Sequence, residues 1–198
     1  MTVYDFASAT IRAIATVLWR TRVYGRENVP LSGPLIVACN HVSNLDPPVM
    51  GCFFPRRISY MAKKELFEIP VLGPLIGALG AYPVDREGSA TAAIKRSVEV
   101  LRSGGTVGIF PEGGRNVTGD NEIRQGVALL ASLGKAPVVP ACIIGSDKAK
   151  QLGQIKVVYG KPLSLPVGRK ATREDLAKFT DDVMSAIRAL SGSTSGNS

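Results

Sequence analysis

A chain of 198 residues, 45% hydrophobic and 20% charged, carries enough apolar material for one sizeable core and lies within the span of a single domain. Its 24 Lys and Arg against 16 Asp and Glu give a net charge of +8, which points to an anionic partner such as a phosphorylated metabolite or an acidic lipid surface. A 6% aromatic content without any concentrated Lys/Arg run argues against nucleic acid, and one histidine with three scattered cysteines argues against a metal site.

The first element is the apolar stretch from Phe6 to Trp19, interrupted by Arg12. It falls short of the ~20 apolar residues a spanning helix needs. Ile11, Ile14, Ala15, Leu18 and Trp19 recur at helical spacing, with Arg12, Arg20 and Arg22 able to snorkel or meet phosphates. Two readings fit: a helix lying on a membrane surface, or a terminal helix docked on the domain. No secretory signal is evident in this stretch. The division expected is an interfacial helix over 1–24, a catalytic domain over 25–190 and a disordered tail over 191–198.

Leu35–Cys39 (LIVAC) reads as a short buried strand, followed by strands at Ile58–Ala62 and Ala81–Val84. A second apolar stretch, Val71–Val84, is too broken by Gly73-Pro74, Gly77 and Gly80 to span a membrane, but suits a short helix. Ala90–Arg102 has helical periodicity and stops at Ser103-Gly104-Gly105. Strands follow at Thr106–Phe110, Pro137–Ile144 and Ile155–Tyr159, with a helix over Gln125–Leu133. Thr172–Leu190 closes the chain as an amphipathic helix with Thr172 as its cap. The pattern predicts an α/β fold: one domain with a mixed, largely parallel central sheet flanked by helices. Cys39, Cys52 and Cys142 read as reduced core thiols.

In such sheets ligands bind at the carboxyl ends of strands. Three predicted strands end in chemically loaded turns: Asn40-His41, Asp85-Arg86 and Pro111-Glu112-Gly113. His41, the only histidine, is the one imidazole available for acid–base work near neutral pH. Asp46 follows five residues later, a spacing that shares no face of a regular helix, so the pair forms across a turn. A plain reading makes His41 a core histidine and Asp46 a helix cap ahead of Pro47. Arg86 reads either as a surface arginine or as a bidentate phosphate clamp. Lys63 and Lys64 read as a solvated helix start, and the glycines after Glu112 allow close backbone approach to an anion or hydroxyl. Pro140 has a plain packing reading.

Together HxxxxD (41–46), GAYPVDR (80–86), FPEG (110–113) and VVP (138–140) resemble, in order and spacing, the four blocks of the glycerolipid acyltransferase family. The likeness spans roughly residues 30 to 145, and the run from Ala62 through Gly73 is similar to the 1-acylglycerol-3-phosphate acyltransferases in particular. The resemblance implies acyl transfer from acyl-CoA or acyl carrier protein to a lysophospholipid hydroxyl, with no cofactor. It implies His41 as general base and Asp46 as its orienting partner. Arg86 and Lys63 would hold the acceptor phosphate, Glu112, Gly113 and Arg115 would shape the acceptor site, and Pro140 would support it. Gly114 stands where the family usually has threonine, so a hydroxyl contact is lost there. The enzyme would work as a peripheral or monotopic protein on an anionic membrane, at the cytoplasmic face of the cell membrane. Competing readings are another lysophospholipid or glycerol 3-phosphate as acceptor, a non-catalytic membrane-binding protein, and a hydrolase. A Cys39 or Ser43 nucleophile is conceivable, though no GxSxG elbow is present.

Overall fold

A computed structural model of the chain describes residues 3–84, 90–112, 126–166 and 171–193. In chain order it comprises α1 (Val3–Trp19), β1 (Arg22–Tyr24), β2 (Leu35–Cys39), α2 (Asp46–Phe53), β3 (Ile58–Lys63), α3 (Leu72–Ala78) and β4 (Ala81–Val84). There follow α4 (Ala90–Arg102), β5 (Thr106–Ile109), α5 (Gly126–Gly134), β6 (Val138–Ile144), β7 (Lys156–Tyr159) and α6 (Arg173–Ser193).

The seven strands form one sheet in the order β1-β7-β6-β2-β5-β3-β4. All pairs are parallel except β6 with β7. The α/β architecture is therefore the one the alternating pattern predicts. β2 lies near the middle, and its five residues are all buried, as a strand covered on both faces requires. Leu35, Val37 and Cys39 join Val139, Ala141 and Ile143 on one face, packed with Val49, Met50 and Phe53 of α2 and Ala15 of α1. Ile36, Ala38, Val107 and Val138 turn to the other face, against Leu101 of α4, Leu130 of α5 and Val183 and Ile187 of α6.

Local chemistry sets the element ends. Pro47 and Pro48 occupy the first turn of α2, where their missing N–H groups cost nothing. Thr172 Oγ1 accepts the Asp175 N–H at 3.2 Å while Asp175 accepts the Thr172 N–H at 2.8 Å, a reciprocal cap that starts α6. That helix continues to Ser193, past the expected boundary at 190. Residues 194–198 of the expected tail lie outside the described residues.

The N-terminal segment differs from expectation in one respect: the helix stops at Trp19, and Arg22–Tyr24 join the sheet as β1 beside β7. The two readings of α1 coexist. Ala15 is fully buried, the Trp19 indole N–H donates to Ala149 O at 2.8 Å, and Asp5 pairs with Arg57 at 2.9 Å, so the helix is docked. Yet Phe6 is 63% and Val17 77% exposed, with Ile14 and Leu18 also outward. Among the described residues no helix is long and apolar enough to cross a membrane.

Candidate active site

β2, β3, β4 and β5 run parallel, so Cys39, Lys63, Val84 and Ile109 end their strands at one edge of the sheet. The chain leaves β2 through Asn40 and His41 and returns into α2 at Asp46. The His41 Nδ1 lies 3.0 Å from Asp46 Oδ2; Asp46 has no exposed surface and the His41 side chain is 15% exposed. The same Oδ2 accepts the N–H groups of Val42 and Ser43, each at 2.7 Å. Burial of an acidic side chain is tolerated where donors converge on it. The Asp46 carboxylate thus reaches back to the preceding turn and does not cap its own helix, whose N-cap is Leu45. Its other oxygen, Oδ1, is buried and has no hydrogen-bond partner among the described residues.

This geometry selects a tautomer. A carboxylate oxygen only accepts, so Nδ1 carries the proton and Nε2 keeps its lone pair. The ring is further fixed by stacking on Phe110, with centroids 4.3 Å apart and planes at 29°, and Tyr60 stacks behind Phe110 at 6.4 Å. A Cβ on Gly108 would meet the Tyr60 ring at 2.3 Å, so glycine in β5 makes room for this stack.

Glu112 follows β5 and reaches across to His41, whose backbone N–H donates to Glu112 Oε2 at 3.2 Å. Lys63 is exposed at the end of β3, in register with Val84. Arg86, two residues beyond Val84, lies outside the described residues, as do Gly113, Gly114 and Arg115. Pro140 is not brought to the histidine. It pairs with Ala38 in β6, and a Cβ on Gly160 would meet Pro140 Cγ at 2.9 Å and Leu190 of α6 at 3.4 Å. Strand alternation puts its side chain on the sheet face opposite α2, so any support it gives the site runs through β6.

The alternative nucleophiles are poorly placed. Cys39 is fully buried, and that burial holds its thiol well above the ordinary value, so the thiolate needed for attack is disfavoured. Burial likewise pushes the Cys142 thiol up to about 12. Ser43 Oγ accepts the Leu45 N–H at 3.3 Å within the turn. Among the described residues no cluster of His, Cys, Asp or Glu could hold a metal ion. A cavity of about 330 Å³ opens beside the motif, lined by Asn40, Val42, Ile143, Asp147 and Ser191.

Residues 20–144 match the family model described as Acyltransferase. The chain belongs to the acyltransferase family. It is 34% identical over 192 residues to the 1-acyl-sn-glycerol-3-phosphate acyltransferase of Bacillus subtilis, covering 94% of this chain and 96% of that one. A Streptococcus pneumoniae protein of the same name is 29% identical over 164 residues, 80% of this chain and 61% of that one. Among solved structures, the Thermotoga maritima 1-acyl-sn-glycerophosphate (LPA) acyltransferase PlsC superposes with a TM-score of 0.79 at 25% identity, covering 99% of this chain and 81% of that one.

For this acyltransferase the sequence reading named His41, Asp46 and Glu112, and the fold gathers all three at one strand edge. It passed over Phe110, whose ring stacks on the imidazole, and Asn40, whose amide pairs with the backbone of Ile143. A polar amide directly after a five-residue apolar strand was the available signal for Asn40.

Proposed function

We propose that this acyltransferase moves a fatty acyl group from a thioester, acyl-CoA or acyl carrier protein, to the free hydroxyl of 1-acylglycerol 3-phosphate, giving phosphatidic acid. The reading is supported by the names of its relatives and carried by one observation: Asp46 holds Nδ1 of His41 at 3.0 Å and leaves Nε2 as a base. Nε2 takes the hydroxyl proton as the acceptor oxygen attacks the thioester carbonyl. Asp46 stabilises the imidazolium so formed. The tetrahedral oxyanion collapses, the C–S bond breaks, and the leaving sulfur takes the proton back from His41. No covalent acyl-enzyme and no cofactor enter the scheme.

Lys63 and Arg86 are assigned to the acceptor phosphate, since Lys63 ends β3, which pairs with β5, and Arg86 follows β4, which pairs in parallel with β3. Glu112, Gly113 and Arg115 are assigned to the acceptor side of the site. The outward Phe6, Ile14, Val17 and Leu18 of α1, with the net charge of +8, support a peripheral position on an anionic membrane surface, which we assign to the cytoplasmic face of the cell membrane.

Thiol release is measured with one acyl-CoA and one acyl carrier protein against a panel of 1-acylglycerol 3-phosphate, other lysophospholipids and glycerol 3-phosphate. Preferred turnover with 1-acylglycerol 3-phosphate is the expected result. Absence of thiol release with every acceptor would leave a non-catalytic lipid-binding protein, and fatty acid release without acceptor would mark a hydrolase.

A further inference from the structure

The ladder between β2 and β6 stops one step short of where its register would carry it. Ile36 N–H donates to Pro137 O at 3.0 Å, and Cys39 is in register with Ala141. Alternate residues of β2 face β6, so the same register continued would bring the backbone of Asn40 and Val42 to the N–H and C=O of Ile143. The main chain does not go there. The Asn40 side chain takes both groups instead: Oδ1 accepts the Ile143 N–H at 2.8 Å, and Nδ2 donates to the Ile143 carbonyl at 2.9 Å. An amide carries one acceptor oxygen and a donor nitrogen, and Ile143 offers the complementary pair, so the orientation of Asn40 is fixed.

The exchange has a consequence at the site. The Val42 N–H is released from the sheet, and it donates to Asp46 Oδ2 at 2.7 Å. The N–H of His41, on the β5 side, is likewise free to meet Glu112.

We infer that Asn40 is a positioning residue for His41: its side-chain amide replaces the main chain in the β2–β6 ladder, which frees the turn at 41–43 to wrap Asp46 and aim the imidazole. It acts through His41 and Asp46 and touches no substrate. The kinetic part of its test rests on the acyl-transfer reading above; the spectroscopic part does not.

The test uses the full chain and two variants. Asn40→Ala removes both bonds. Asn40→Asp keeps an oxygen for the Ile143 N–H but sets a second acceptor against its carbonyl, and circular dichroism checks that each variant is folded. Because the protein has one histidine, the Nδ1–H bonded to Asp46 gives a single downfield proton resonance in histidine-labelled protein. The expected result is a kcat lower by about 100-fold in Asn40→Ala, the scale set by small misplacements of a catalytic group. Acceptor and donor KM should stay within about twofold, and the resonance should be lost or shifted upfield in both variants. An unchanged resonance in folded variants overturns the inference, whether kcat falls or not. So does a raised acceptor KM at unchanged kcat, which would make Asn40 a substrate contact. Wild-type protein inactive on every acceptor would remove the proposed function, while the resonance comparison would still decide the role of Asn40.

Discussion

The carboxylate of Glu112 accepts the backbone N–H of His41 at 3.2 Å, joining the turn after β5 to the turn after β2 across 71 residues of sequence. The third block therefore holds the first, and Glu112 acts on His41 through its main chain. Glu112→Gln keeps an acceptor oxygen in the same place and should retain kcat within about threefold, whereas Glu112→Ala should lower it by about 100-fold. Steady-state kinetics with saturating acceptor separates this from a pure acceptor contact, which would raise KM in both variants.

His41→Ala should abolish transfer while the circular dichroism spectrum and melting transition remain those of a folded protein. Asp46→Asn places an amide where Oδ2 accepts three N–H groups, and should cut kcat by up to about 10⁴-fold by upsetting the tautomer. It should also destabilise the fold by about 1–3 kcal/mol through a mispaired buried group. Residual turnover of purified His41→Ala near the wild-type rate would end the general-base assignment.

Lys63→Ala and Arg86→Ala should raise the KM for 1-acylglycerol 3-phosphate by about 10-fold each, the loss expected of one charge-assisted contact, with kcat little changed. The discriminating control is an acceptor without phosphate, such as a monoacylglycerol, toward which neither variant should differ from wild type. An equal loss on both acceptors would take the phosphate role away.

The buried thiols should not react with Ellman's reagent in native protein near neutral pH and should react together on unfolding. Their pH effect has a definite sign. Burial raises the Cys142 thiol from 9.0 to about 12, so the native state keeps a proton that the unfolded chain has lost in between. The stability this contributes is complete below about pH 9 and fades as pH climbs toward 12. Urea midpoints across that window should fall less steeply in Cys142→Ala than in wild type; parallel slopes would contradict the assignment.

Gly108→Ala should destabilise the protein by about 1–3 kcal/mol or more, because the new Cβ would overlap the Tyr60 ring at 2.3 Å. Tyr60→Phe should be neutral or stabilising, since the Tyr60 hydroxyl is buried without a hydrogen-bond partner among the described residues. Denaturant titration reads both. The double variant should be no better tolerated than Gly108→Ala, as the clash is with the ring edge.

Much of the scaffold was legible because its strands are short apolar runs closed by polar turns. LIVAC reads as a buried strand by composition alone, and it forms β2, Leu35–Cys39, with every residue buried. β1 was missed because three residues, Arg22–Tyr24, give no alternation to detect, and their pairing with Lys156–Val158 is a contact across more than 130 positions. The fully docked face of α1 was ambiguous for a related reason: Ala15 and Trp19 have the same spacing on a membrane as against Ala149.

The sequence by itself determined which residues had chemistry to offer: one imidazole, a carboxylate five positions on, and a glycine-rich turn after a strand. Those are properties of residue type and local spacing, and local rules read them. Only the tertiary structure decided that Glu112 binds the backbone of His41, that Pro140 turns toward α6, and that Asn40 takes over the pairing of Ile143. Each depends on the order in which β6, β2 and β5 lie side by side, and sheet order is set by long-range packing that no window of sequence contains.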